Sequence, residues 1–189
     1  MVLDKARVVV AGIGNEAVGD DAAGVQVARA LSRETLPPNV TVHETGMAGF
    51  RMIDIWAGAD LCIVVDAMDS GEAPGAIWWF DGPSAVLQCL SERESLVSSH
   101  ECHLKEVIEL GTVLGPPFSP NNLAVFGVQV DCSWLGFGRL ELSPSVQKAC
   151  HRLSRIIADM LVRGSLLLSE WEKIDSSGLY RLKETNKTR

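Results

Sequence analysis

The sequence predicts an α/β protein: a single three-layer domain with a twisted, mostly parallel sheet flanked by helices on both faces. Two uninterrupted apolar runs, at 8–11 and 61–65, are typical of strands buried on both faces. Segments with helical spacing of apolar residues alternate with strand-like runs, which favours parallel strands joined by helices. With 189 residues, 47% of them hydrophobic, the chain is long enough to bury one continuous core.

The first half of the chain begins with a strand over 7–11, which Gly12 and Gly14 end at a sharp turn. Apolar residues at helical spacing then predict a helix over 21–34, which stops before the prolines at 37 and 38. The elements predicted next are a strand at 40–44, a turn at 46–49, a short helix at 50–57, a strand at 61–65 closed by Asp66, a loop at 71–75 and a strand at 76–80.

The second half continues the alternation. Its predicted elements are a helix or irregular piece at 84–90, a helix at 103–114, a strand at 123–130 and a long helix at 144–161. Ser143 followed by Pro144 predicts the start of the last helix, since serine is a good N-cap and proline suits the first helical position. We therefore expect a domain over 1–163 and a partly disordered tail over 164–189.

Composition narrows the class of partner and compartment. A formal net charge of −7 argues against nucleic acid or an anionic membrane as the main partner. No apolar run approaches the roughly 20 residues of a membrane helix, so we expect no membrane insertion. The start of the chain lacks a signal-peptide core, and the five cysteines are scattered singly. These features predict a cytoplasmic protein with reduced thiols.

Three ionisable residues are predicted at the carboxyl ends of the strands, where open α/β sheets place their sites. Asp21 follows the first strand and its glycine turn, Asp66 ends the second apolar run, and His100 lies directly before a helix. Two carboxylates and an imidazole can form an open site for a divalent metal such as nickel or zinc. Each residue also has a purely structural interpretation, as a helix-dipole partner, a turn residue or a cap. Asp20 is predicted as the N-cap of the first helix.

Other catalytic motifs are missing or poorly matched. The glycines do not complete a dinucleotide-binding pattern, and no P-loop or nucleophile-elbow motif occurs. His103 could replace His100 as a ligand, although its neighbours favour a half-buried helix surface. Glu16 lies in the glycine turn, which supports a ligand less firmly than a helix start does. The adjacent tryptophans at 78 and 79 are expected to be packing or interface residues.

Four ordered motifs, GIGNEAVGDDAAGV, HETGMAG, IVVDAMDSGEAPG and SSHECHLKEVIELG, resemble those of the hydrogenase maturation endopeptidases. The resemblance extends over about 8–146. It departs from the family pattern near Thr45, where the family has an aspartate followed by two glycines, and at His103, where the family favours a small residue. It does not include the tail after Gly164.

The resemblance implies a peptidase, classified in the family as aspartic-type. Its substrate is the precursor of the large subunit of nickel–iron hydrogenase, from which it removes a C-terminal extension after nickel insertion. The family's metal ligands correspond to Asp21, Asp66 and His100, with nickel carried by the precursor. Two other hypotheses stay open: a metal-dependent hydrolase that holds its own ion and acts on another peptide or amide, and a non-catalytic nickel-protein chaperone.

Overall fold

The computed structural model describes residues 6–47, 49–92, 104–117, 123–165, 168–174, 176 and 178–183. Within these ranges the strands are β1 (Val8–Ile13), β2 (Val40–Gly46), β3 (Leu61–Met68), β4 (Ile77–Asp81), β5 (Leu123–Gln129), β6 (Trp171–Lys173) and β7 (Leu179–Leu182). The α-helices are α1 (Ala23–Leu31), α2 (Arg51–Trp56), α3 (Pro83–Glu92), α4 (Leu104–Leu114) and α5 (Pro144–Arg163). None of the helices described here combines the length and the apolar character needed to cross a membrane.

The strands form one sheet in the order β2-β1-β3-β5-β4-β7-β6. β2, β1, β3 and β5 are mutually parallel, while β4, β7 and β6 extend the sheet through antiparallel pairings. The predicted class is therefore confirmed: the sheet has a parallel core, and its antiparallel strands lie together on one side. The parallel arrangement brings the carboxyl ends of β1 and β3 to the same edge.

Helices cover both faces of the sheet, as predicted. β1 shows why, because its residues are all buried and alternate between the two cores. Val8 and Val10 belong to the core formed with α1 and α5, whereas Val9 and Ala11 belong to the core formed with α2, α3 and α4. β3 was expected to end at Asp66 but continues to Met68, and its last three residues, Asp66 among them, are only partly buried.

The segment after residue 163, expected as a partly disordered tail, contributes β6 and β7 to the same sheet. Trp171 is buried, and the ring of Tyr180 stacks on that of Trp79 with centroids 4.4 Å apart. The rings of Trp79 and Trp171 also meet edge to face at 5.8 Å. Trp78 and Trp79 are buried on opposite faces of the sheet, which confirms their predicted packing role.

Candidate active site at the carboxyl edge of the sheet

The turn between β1 and α1 is compact because glycines let backbone segments touch. Gly14 has φ 146°, and a Cβ there would overlap the carbonyl oxygen of Asp21. A Cβ on Gly24 would overlap the carbonyl oxygens of Ile13 and Val65. Contact between Gly24 and Val65 presses the start of α1 against β3 at the residue before Asp66. The glycine spacing therefore brings the turn that contains Asp21 close to the end of β3.

Asp21 and Asp66 lie near each other at this edge, as the sequence predicts. Asp21 is only 6% exposed, and its Oδ2 accepts a hydrogen bond of 3.0 Å from the backbone N–H of Asn15. Removal from water, and after it the negative charge of Asp21, together raise the pKa of Asp66 to about 7. The N–H of Ala67, which donates to Asp66 Oδ1 at 2.8 Å, acts in the opposite direction. The two carboxyl groups thus interact electrostatically.

The prediction that Asp20 is a helix N-cap is wrong. Residues 19–22 form a 3₁₀ turn whose cap position is Val18, with no side-chain capping bond. Asp20 is instead fully buried and accepts three hydrogen bonds from distant parts of the chain. Its donors are the N–H of Asp131 at 2.9 Å, the N–H of Ser143 at 2.6 Å and the Oγ of Ser143 at 2.8 Å. Asp20 therefore joins the glycine turn to the loop between β5 and α5.

Glu16 is held by a cation rather than directed to the carboxylate pair. Its Oε1 lies 2.7 Å from Arg29, whose guanidinium also contacts Oε2 of Glu44 at 2.6 Å. The Glu16 side chain is 50% exposed. Glu16 is therefore engaged in an ion pair, and the preference for Asp21 over Glu16 as a ligand stays a prediction.

His100 and His103 lie outside the described residues, so the histidine of the predicted site stays a prediction. Among the residues that are described, no group of three or more His, Cys, Asp or Glu side chains is placed to hold a metal ion. Asp21 and Asp66 supply two oxygen-bearing groups, which suit a divalent cation when a further ligand completes the set. The donor chemistry of the described pair therefore fits its predicted role.

The link from Asp20 to Ser143 and the two ion pairs of Arg29 are not apparent in the sequence. Ser143 was identified as the N-cap of α5, and this is confirmed, because its side chain accepts from the N–H of Val146. The same hydroxyl donates to Asp20, which precedes it by 123 positions. No short-range pattern in a single sequence signals a hydrogen bond over that separation.

Fold and site together define an α/β protein with an acidic site at the carboxyl edge of its parallel strands. A family model for the hydrogenase maturation proteases matches residues 25–160. The hydrogenase expression/formation protein HupD of Bradyrhizobium diazoefficiens is 30% identical over 155 residues, 78% of each chain. The hydrogenase maturating endopeptidase HybD of E. coli superposes with a TM-score of 0.71 at 26% identity, covering 84% of this chain and 93% of its own.

A [NiFe] hydrogenase maturation protease of Thermococcus kodakarensis shares the fold, with a TM-score of 0.67 at 22% identity over 82% of this chain and 99% of its own. The chain belongs to the hydrogenase maturation protease family. Membership makes it a peptidase of hydrogenase maturation, which confirms the resemblance identified from the four motifs.

Proposed function

We propose that this chain removes the C-terminal extension of a nickel–iron hydrogenase large-subunit precursor once nickel has been inserted. The observation that carries the proposal is the pairing of Asp21 and Asp66 at the edge of the sheet. Two carboxylates that repel each other favour a divalent cation between them, because the cation offsets both charges. Nickel already bound to the precursor would be that cation, and it would arrive as part of the substrate.

His100 completes the proposed ligand set. It follows from the motif resemblance, and imidazole is a good ligand for nickel. In this proposal Asp21, Asp66 and His100 hold the precursor's nickel, so that the scissile peptide lies against the edge of the sheet. The ion then polarises the carbonyl of that peptide and helps to activate the attacking water. Cleavage is withheld from a precursor without nickel, because the ligands then have nothing to bind. The family's aspartic-type classification and the cytoplasmic location stay predictions.

The test mixes the purified chain with nickel-loaded and with nickel-free precursor and follows the precursor mass. We expect loss of the C-terminal extension only from the nickel-loaded form. Asp21→Asn and His100→Ala should each lower the rate by about 10³-fold or more, because each removes a group that positions the ion. Glu16→Gln is the matched control in the same turn and should cleave normally, since Glu16 contacts Arg29 instead.

Three other outcomes would contradict the proposal. Normal cleavage by both Asp21→Asn and His100→Ala would remove the assigned ligands from the mechanism. Tight stoichiometric metal in the purified chain without precursor would favour a hydrolase with its own ion. Binding of the nickel-loaded precursor without any loss of mass would favour a chaperone.

A further inference from the structure

Exposed apolar side chains are concentrated on two short segments beside the glycine turn. Of the nine large hydrophobic residues that are well exposed in the described part of the chain, five lie within 47–50 and 135–140. We call these five the apolar rim: Met47 (61% exposed), Phe50 (54%), Leu135 (40%), Phe137 (91%) and Leu140 (73%). Single exposed apolar residues need no explanation, but such a concentration is typical of a binding surface.

Backbone hydrogen bonds place the two segments on either side of the turn that leads to Asp21. On one side, the N–H of Gly14 donates to the carbonyl of Gly46 at 3.2 Å, directly before Met47. On the other side, the N–H of Gly138 donates to the carbonyl of Ala17 at 2.7 Å, next to Phe137. The apolar rim therefore flanks the stretch of chain that precedes Asp21.

The second segment is firmly held although its apolar side chains face outward. The indole N–H of Trp134 donates to the carbonyl of Glu141 at 2.9 Å, and the guanidinium of Arg139 lies 4.3 Å from the centre of the Trp134 ring. The N–H of Gly19 donates to the carbonyl of Arg139 at 2.7 Å. Asp20 holds both ends of the loop through Asp131 and Ser143. Phe137 is thus exposed on an ordered support, which lowers the entropy lost when a partner binds.

We infer that the apolar rim is the docking surface for the precursor chain around the scissile bond, through apolar side chains that the precursor presents there. This inference rests on the proposed function, because a polypeptide whose bond is brought to Asp21 must lie across the turn that the rim flanks. The net charge of −7 makes the chain a poor partner for an acidic segment. Binding through the rim supplies affinity for the protein part of the precursor, separately from the nickel.

The test measures binding of nickel-free precursor, which the proposed function leaves uncleaved, to the full-length chain by biolayer interferometry. Phe137→Ser/Leu140→Ser should raise Kd by about tenfold or more, since exposed aromatic and aliphatic anchors carry much of an interface's affinity. Val162→Ser is the matched control: Val162 is 63% exposed but lies on α5 roughly 28 Å along the axis from Ser143, so its Kd should not change. Thermal unfolding confirms that each variant is folded.

The outcomes separate this inference from the proposed function. A double variant that binds nickel-free precursor as tightly as the wild type overturns the docking surface, even when the wild type cleaves nickel-loaded precursor. A wild-type chain that does not bind nickel-free precursor at all overturns it too. Weaker binding by the double variant, with no cleavage of nickel-loaded precursor by the wild type, supports the docking surface while the proposed function fails.

Discussion

Replacing Asp66 with asparagine should make the stability of the protein less dependent on pH. In the native state, removal from water and the charge of Asp21 raise the pKa of Asp66 from 3.8 to about 7. The unfolded chain keeps the ordinary value, so the native state binds more protons between these two values. Stability must therefore fall as pH rises through that window. Asparagine has the same shape and can accept the N–H of Ala67, but it carries no titratable proton.

The size of the effect follows from the two pKa values. A rise from 3.8 to about 7 costs the ionised native state about 4 kcal/mol, at about 1.4 kcal/mol per pH unit. At about pH 5 the wild type has lost only the part of this free energy that falls between the unfolded-state pKa and the working pH. At about pH 8 it has lost all of it. The stability advantage of Asp66→Asn over the wild type should therefore grow by about 3 kcal/mol between these conditions. Any constant cost of the amide cancels in this comparison.

Urea unfolding followed by circular dichroism measures this difference, with a chelator present because a bound divalent ion would hold Asp66 ionised. Asp159→Asn is the matched control, since Asp159 is exposed on α5 and its substitution removes the same formal charge. Asp21→Asn removes the second cause of the raised pKa. In that background the fall in stability should be smaller, and it should be complete at a lower pH.

A constant difference between Asp66→Asn and the wild type across this pH range would refute the reasoning. It would mean that Asp66 is solvated like an ordinary surface carboxylate and that its interaction with Asp21 is weak. An effect that the Asp21→Asn background leaves unchanged would refute only the electrostatic coupling. Burial would then be the sole cause of the raised pKa, and the closeness of the two carboxylates would lose its support.

Two further substitutions test the backbone contacts and the buried carboxylate. Gly24→Ala should destabilise the protein by about 3 kcal/mol or more in urea unfolding, because the added Cβ would overlap backbone oxygens. This cost outweighs alanine's higher helix propensity. Gly136→Ala has open space around the added Cβ and should cost less than about 1 kcal/mol. Asp20→Ala should lower the free energy of unfolding by about 3–5 kcal/mol, because it removes three hydrogen bonds to a carboxylate and leaves the buried N–H of Ser143 unpaired. Asp159→Ala, on an exposed face, should cost less than about 0.5 kcal/mol. Equal costs within either pair would contradict the assigned contacts.

The sequence predicted the parallel core well because that part of the fold is recorded in local patterns. The apolar run at 61–65 is typical of a buried strand, so it identified β3, although the strand continues past Asp66 to Met68. Ser143 and Pro144 likewise identified the start of α5. β6 and β7 escaped prediction because three and four residues are too few to show a period. Their positions depend on long-range packing, such as the stacking of Tyr180 on Trp79.

The neighbouring carboxylates Asp20 and Asp21 show why residue type alone could not assign roles within the candidate site. Both lie in a 3₁₀ turn, where successive side chains are rotated by about 120° around the axis. Asp20 is thereby directed to Ser143 and Asp131, and Asp21 to Asn15, on the side where its charge acts on Asp66. If an α-helix began here with Asp20 as its N-cap, Asp20 would lie outside the first turn. The two carboxylates would then not be directed to these two sets of partners. The tighter turn therefore lets one carboxylate fix the loop that carries Phe137 while the next carboxylate joins the pair at the edge of the sheet.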